Sequence, residues 1–289
     1  MTDRLLAHVK SLVGERHPVT TPSALEHAKH YLVEQLSSFG LPVSLHPFEA
    51  FGGTYQNVIA SLSPSTAHGS SEGTPLLIAA HYDTVPDSPG ADDNASGLAV
   101  LLEVARTLRS VSLSREVRFI GFSLEEEDLL GSLAYTADLK AREEAIAGAI
   151  VLECAGYTSS REGSQLAPPH LPITLPSVGD FLGIVGNTAS ATLAAAVERS
   201  ARQHVPELKV ISLLVPGNGE ILPDARRSDH AAFWQYGYRA VMLTDTANFR
   251  NPHYHQPTDT LDTLDFAFMR QVAQLVAAAA SELAGQPYE

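Results

Sequence analysis

The order of apolar patterns along the chain predicts an α/β fold: a single domain in which a mixed, mostly parallel β-sheet is sandwiched between α-helices. Three observations lead there. From residue 95 onward, helix-period and strand-like segments alternate, as parallel strands joined by crossovers require. Before them, three strand-like runs follow one another, which implies an antiparallel edge. No internal repeat or low-complexity linker divides the 289 residues, so one domain spanning 1–289 is expected.

Each element has its own reason. "MTDRLLAHVKSLVG" and "PSALEHAKHYLVEQLSSFG" carry apolar residues at i, i+3/i+4 and end in glycine, so both read as helices. "PVSLHPFE", "NVIASLS" and "TPLLIAAH" read as strands, with the polar, turn-rich "PSTAHGSSEGT" between the last two. A helix at "ASGLAVLLEVARTLRS" precedes a strand at "EVRFIGFS", and a helix near "LGSLAYTADLKARE" precedes a strand at "GAIVLEC". Further on come a strand at "DFLGIVGN", a helix at "ASATLAAAVERSARQH", strands at "KVISLLV" and "YRAVMLTD", and a closing helix over "DTLDFAFMRQVAQLVAAAASELAG". Residues 157–179 lack periodicity, and a loop of that length inside a domain is expected to serve as a lid or rim.

Composition removes several function classes. The formal net charge of -14, from 19 basic and 33 acidic residues, argues against a nucleic-acid partner. The single cysteine, Cys154, excludes an internal disulfide and a cysteine-based zinc site, and its apolar setting in "GAIVLECAG" suits a buried, inert thiol. No run reaches the roughly 20 apolar residues that span a bilayer, and the first residues show no signal-peptide core. A soluble, cytoplasmic protein without a membrane partner is the expectation.

Ligands of open α/β sheets collect at the carboxyl ends of strands. "LLIAAHYD" ends in His81 and Asp83, "VRFIGFSLEEED" in Glu125, Glu126, Glu127 and Asp128, and "AIVLEC" in Glu153. The strand in "AVMLTDTANFRNPHYHQPTDT" leads to His253, Tyr254, His255 and Asp259, and "PGADDNASG" places Asp92 and Asp93 in the loop after His81. Singly, each also fits a bland role: a structural histidine, a helix cap, or a solvated acidic first turn. Together they form a cluster of negative charge that is costly to bury without a cation.

A pair of divalent metals would supply that cation, and imidazole plus carboxylate suits zinc. Two zinc ions carry +4; Asp93, Glu126 and Glu153 supply -3 and a bridging hydroxide the rest. Asp83 could then orient His81 from behind, and Glu125 remains available as a general base.

In "HYDTV" (81–85), "GADDNASG" (90–97), "EEEDLLGS" (125–132), "LEC" (152–154), "RSDHAAF" (227–233) and "YHQPTDT" (254–260) the chain resembles the co-catalytic two-zinc aminopeptidase family, which includes bacterial leucyl-type aminopeptidases and is related to glutaminyl cyclases. The resemblance runs from about residue 55 to the C-terminus. It implies the phosphorylase/hydrolase-like zinc-exopeptidase fold. It implies His81 and Glu153 on one zinc, Glu126 and His255 on the other, and Asp93 bridging both. It further implies a cis peptide at Asp93–Asn94, Glu125 as general acid/base and Asp83 as the partner of the first histidine. Tyr254 and Arg227 match positions that steady the oxyanion or the bound peptide in some members, and packing or surface roles suit them equally. Ser228, Asp229 and His230 fall in a family segment and read as structural hydrogen-bonding residues. Two departures stand out: Glu153 replaces the usual Asp, and Glu127-Asp128 replaces an apolar residue and glycine, where the added charge either attracts an ammonium group or is solvated.

The implied activity is metal-dependent hydrolysis of the N-terminal amide bond of peptides with a free N-terminus, by a bridging water that loses its proton to Glu125. A cyclase-like aminoacyltransferase with one zinc, and a non-catalytic binding module on the same fold, are the alternatives. The first differs in metal stoichiometry. The second usually lacks the base or a ligand, and here Glu125, Glu126 and both histidines are present. "HAKH" (27–30) is explained by a solvated helix face.

Overall fold

Alternating apolar character along successive segments builds one eight-stranded sheet, seen in a computed structural model that describes residues 1–64 and 73–285. All but the ends of the turn-rich loop expected over 64–74 lies outside the described residues. The strands are β1 (Val43–Ala50), β2 (Gly53–Leu62), β3 (Leu76–His81), β4 (Val117–Phe122), β5 (Gly148–Glu153), β6 (Phe181–Asn187), β7 (Lys209–Val215) and β8 (Ala240–Thr244). Their order across the sheet is β1-β2-β4-β3-β5-β8-β6-β7.

The central strands β4, β3, β5 and β8 are mutually parallel, and β1 and β2 form the expected antiparallel edge. A second antiparallel junction was not expected: β6 runs against β8, and β7 then runs parallel to β6. The β6–helix–β7 segment is parallel within itself, as it reads, but the whole unit runs opposite to β8 at the far edge. Burial follows position. Every residue of β3, β5 and β8 is buried, as strands covered on both faces should be. The edge strands β1 and β7 are mostly half-buried or exposed.

Helices α1 (Thr2–Leu12), α2 (Pro22–Ser38), α3 (Gly97–Leu108), α5 (Ala191–His204) and α7 (Phe266–Gly285) share one apolar core with one face of the sheet. On the other face lie α4 (Leu130–Ala141) and α6 (His230–Gln235), packed through Tyr135, Leu139, Phe233 and Trp234. The short helix α6 carries no periodicity that a sequence window could detect, and it was read only as a family segment. Pro22 opens α2, where its fixed φ and missing N–H fit the first turn. No helix among the described residues is long and apolar enough to cross a membrane.

α3 is buried nearly all round and carries one charge in the core, Glu103, at 0% exposure. Arg4 Nε and Arg106 Nε each donate to its Oε1 at 2.9 Å, which ties α1 to α3. Burial would push its carboxyl up, but His8, 3.7 Å away, and the bonds from Arg106 and Arg4 outweigh that and hold its pKa well below the ordinary range. A depressed folded pKa gives stability that is present above the unfolded value of about 4.3 and is lost as pH falls through the folded one. Glu103→Gln is therefore expected to lower stability at pH 7 and to flatten the decline below pH ~4.3, read by urea unfolding across pH. An unaltered pH slope would show that the group adds nothing.

Candidate metal centre and adjoining pocket

Four parallel neighbours in the sheet deliver the candidate residues to one edge. His81 is the last residue of β3 and Glu153 the last of β5. Glu125 and Glu126 follow β4, and His255 follows β8. Asp93 comes from a kinked turn, Ala91–Ser96, between β3 and α3, whose backbone leaves helical geometry at Asp93 and Asn94. His81 Nε2 lies 3.1 Å from Asp93 Oδ1, 3.4 Å from Glu153 Oε2 and 3.9 Å from Glu125 Oε2. His255 Nε2 lies 3.0 Å from Asp93 Oδ2 and 3.2 Å from Glu126 Oε1. Asp93 thus turns one oxygen to each histidine, between the His81–Glu153 pair and the His255–Glu126 pair.

The turn that holds Asp93 serves both readings of its sequence. Gly90 enters it at φ +59, and the Asp93–Asn94 peptide is cis, as expected. The Asp259 carboxylate accepts the backbone N–H of Asp92 at 2.9 Å and of Asp93 at 3.1 Å. Asn94 Oδ1 accepts the N–H of Gly97, capping α3, while its Nδ2 donates to Leu152 O. Asp92 turns away from the cluster and accepts from Gly156 N and Asn251 Nδ2.

Around this cluster, Asp83 accepts the N–H groups of Glu125 and Glu126, both at 3.1 Å, and its Oδ1 lies 3.6 Å from His81 Nδ1. It therefore sets the acidic turn against the first histidine. Ser228 Oγ donates to Glu153 Oε2 at 2.8 Å, and His230 pairs with Ala225 O, so both make structural hydrogen bonds. Asp229 departs from the structural hydrogen-bonding role expected of it: it is fully buried, and neither carboxylate oxygen makes a hydrogen bond among the described residues. Tyr254 stacks on His255 with ring centroids 3.8 Å apart. Arg227 donates to the Tyr254 hydroxyl at 3.1 Å and to Asn248 Oδ1 at 2.8 Å, so it is engaged beside the site although its side chain is 42% exposed. Glu127 contacts His17 Nε2 at 3.1 Å and Asp128 is exposed; the two extra acids tie down a neighbour and face solvent, respectively. His27 and His30 are exposed on α2. Cys154 is buried, and burial pushes its thiol pKa far up.

His17, Asp245 and Asn251 were not singled out from the sequence. Asp245 follows the last residue of β8, where the strand-end rule would have found it, and it accepts from Tyr157 N and Ala247 N. His17 and Asn251 carry no local signal for their contacts beside the site, because Glu127 and Asp92 are distant from them in the chain.

Electrostatics and hydrogen bonding both mark the cluster as a cation site. His81 Nε2, Asp93 Oδ1, Glu126 Oε1 and His255 Nε2 are buried and make no hydrogen bond among the described residues. Buried polar atoms are normally bonded, so this convergence of free lone pairs fits a metal's donor set. The triads His81–Asp93–Glu153 and Asp93–Glu126–His255 each bring their ligand atoms within 4.8 Å of one another. Burial, and then the neighbouring carboxylate of Asp93, pushes Glu126 up to about 8. Glu125 is raised by burial and by Glu153 and Glu126. Burial disfavours the His255 imidazolium, but Asp93 and Glu126 outweigh it and push that ring up to about 10. A set of two histidines and three carboxylates fits zinc, and Asp93 presents an oxygen to each half.

An apolar pocket adjoins the centre, and Glu153, Arg227 and Tyr254 are among its lining residues. Its walls include Leu171, Ile173, Phe181, Ile211, Leu213 and Met242. Leu171 and Ile173 belong to the aperiodic 157–179 segment. Phe181, Ile211 and Leu213 lie on the reversed β6–β7 pair, where the sequence read as ordinary strand and gave no hint of a cavity.

A family model described as Peptidase family M28 matches residues 57–280. The chain is 34% identical over 286 residues to the uncharacterised protein YfbL of Escherichia coli, covering 93% of this chain and 84% of that one. It is 31% identical over 239 residues to aminopeptidase YwaD of Bacillus subtilis, covering 79% of this chain but 45% of the relative. Among solved structures, BSAP, a zinc aminopeptidase from Bacillus subtilis, superposes with a TM-score of 0.63 at 29% identity, over 82% of this chain and 52% of that one. Porphyromonas gingivalis glutaminyl cyclase superposes with a TM-score of 0.70 over 98% of both chains at 21% identity, a likeness of fold.

A histidine must be neutral to bind a metal, so metal uptake has to displace the proton that Asp93 and Glu126 hold on His255. Zinc affinity is therefore expected to rise with pH from about 6 toward 10, with proton release, read by calorimetry in buffers of different ionisation enthalpy. A pH-independent affinity would place the metal away from His255.

Proposed function

The chain belongs to peptidase family M28, a family of metal-dependent exopeptidases, and from that premise we propose that it is a zinc aminopeptidase that removes apolar residues from the N-terminus of peptides. The observation that carries this reading is Asp93, whose two oxygens face the two histidines. Glu125 is buried beside them and within reach of His81 and Glu126, and we assign it the role of base rather than ligand. Two zinc ions are assigned, one to His81, Glu153 and Asp93 and one to His255, Glu126 and Asp93. When bound, they supply a water of lowered pKa and polarise the scissile carbonyl.

The protein's own groups do the rest. Glu125 sits 3.9 Å from His81 Nε2, at the edge of the cluster, where it takes a proton from the attacking water and returns it to the leaving nitrogen. Tyr254 accepts a hydrogen bond from Arg227, which leaves the phenolic proton free to donate to the developing oxyanion. Burial and the surrounding carboxylates raise the phenol's pKa far above its ordinary value, so it keeps that proton. Asp83 holds the Glu125–Glu126 backbone in place, and Ser228 orients Glu153. The apolar pocket takes the side chain of the first residue, and segment 157–179 forms part of its rim.

Metal content and hydrolysis of aminoacyl-anilides test this together. Two zinc ions per chain, chelator-sensitive hydrolysis, and faster cleavage of leucyl and phenylalanyl than of glutamyl substrates are expected. Glu125→Gln should keep the metal and lose about 10²–10⁴-fold in kcat. An unchanged rate in that variant removes Glu125 from its role, and one zinc with no hydrolysis would favour cyclisation of N-terminal glutamine instead.

A further inference from the structure

Arg16, at 2% exposure, is among the largest fully enclosed side chains of the protein. Its guanidinium makes five hydrogen bonds, all to main-chain carbonyls. Nε donates to Tyr82 O at 2.9 Å. Nη1 donates to Leu12 O at 2.5 Å, Gly14 O at 2.7 Å and Pro89 O at 3.1 Å. Nη2 donates to Gly90 O at 3.1 Å. The Arg16 N–H adds a bond to Thr84 Oγ1 at 2.8 Å, and Gly14 N bonds Pro89 O at 2.8 Å. No carboxylate among the described residues pairs with it directly.

A buried cation without an ion-pair partner is costly to keep, and an apolar residue would fill the space at no charge penalty. What an apolar residue cannot do is satisfy five carbonyls at once. Those carbonyls are not scattered. Tyr82 follows His81 directly, and Pro89 and Gly90 lead into the turn that carries Asp93. The guanidinium therefore grips both arms of the loop 82–90; the histidine directly precedes that loop, and the carboxylate 3.1 Å from it lies three residues beyond its end. Gly90 is part of the same device: a Cβ there would meet Arg16 Nη2, Asp93 O and the Thr84 methyl.

We infer that Arg16 is a positioning residue for the metal centre, fixing the His81–Asp93 spacing by holding the backbone on both sides of the loop that joins them. The inference rests on the two-zinc reading of the site. A planar fork is needed, because the acceptors lie on three separate stretches of chain, 12–14, 82 and 89–90. A lysine in its place keeps the charge but offers three donors from a single nitrogen, and cannot span them.

The test compares full-length Arg16→Lys and Arg16→Met with the parent chain. Zinc affinity is read by competition with a chromophoric chelator, and coordination geometry by the visible bands of the cobalt(II)-loaded protein. Circular dichroism and Tm report whether each variant folds. Both variants should bind zinc about 10–100-fold more weakly, the usual loss when an outer support of a metal site is removed. Their cobalt bands should shift, and at saturating zinc kcat should fall more than KM rises. Should Arg16→Met fail to fold, Arg16→Lys decides, since it keeps the charge. A folded variant with parental zinc affinity and parental cobalt bands overturns the inference, leaving Arg16 a stability residue. A parent that binds two zinc ions without cleaving peptides sinks the peptidase reading while the affinities still judge Arg16. A parent that binds no zinc overturns both.

Discussion

One buried carboxylate has to face two histidines that arrive from opposite sides, and most of the surrounding architecture answers to that demand. Asp93 meets it because its backbone is fixed from several directions: Asp259 accepts the amides of 92 and 93, Asn94 grips both α3 and the end of β5, and Gly90 supplies the positive φ at the entrance. Placing several acids this close is unfavourable for the fold taken alone. The cost is met by pulling protons onto the histidines or by a cation, and the free lone pairs point toward the cation.

The sheet solves the second problem, which is to bring ligands far apart in sequence to one place. Parallel strands all end on the same side, so β3, β4, β5 and β8, lying side by side, project His81, Glu125, Glu126, Glu153 and the His255 loop into one crevice. None of the ligand candidates comes from the strands added antiparallel to this core. β1 and β2 close one edge, and β6 and β7 shape the pocket at the other.

Much of this was legible in the sequence because it follows from local rules. Strand periodicity located His81 and Glu153 at strand ends, and the glycines around "GADDNASG" marked a backbone that needed unusual freedom. The division of labour inside "ADDN" was not legible: Asp92, Asp93 and Asn94 are similar side chains, and only long-range partners such as Asn251, Asp259 and Leu152 separate their roles. The same holds for Arg16, which looks like any polar residue between two helices until the chain closes over it. The reversal of β6 relative to β8 was missed because a helix between two strands gives no sign of which edge the second one joins. The pocket went unseen for a related reason, since wall residues and core residues are equally apolar.

The antiparallel seam between β8 and β6 divides the molecule by purpose. On one side stand the strands that end in ligands, and most of the pocket wall comes from the other side, from 165–185 and 211–225. Substitutions beyond the seam can resize the cavity without disturbing a candidate ligand, so the shape of the pocket can change while the cluster stays fixed. A fold wired in this way lets the walls of the pocket change independently of the cluster beside them.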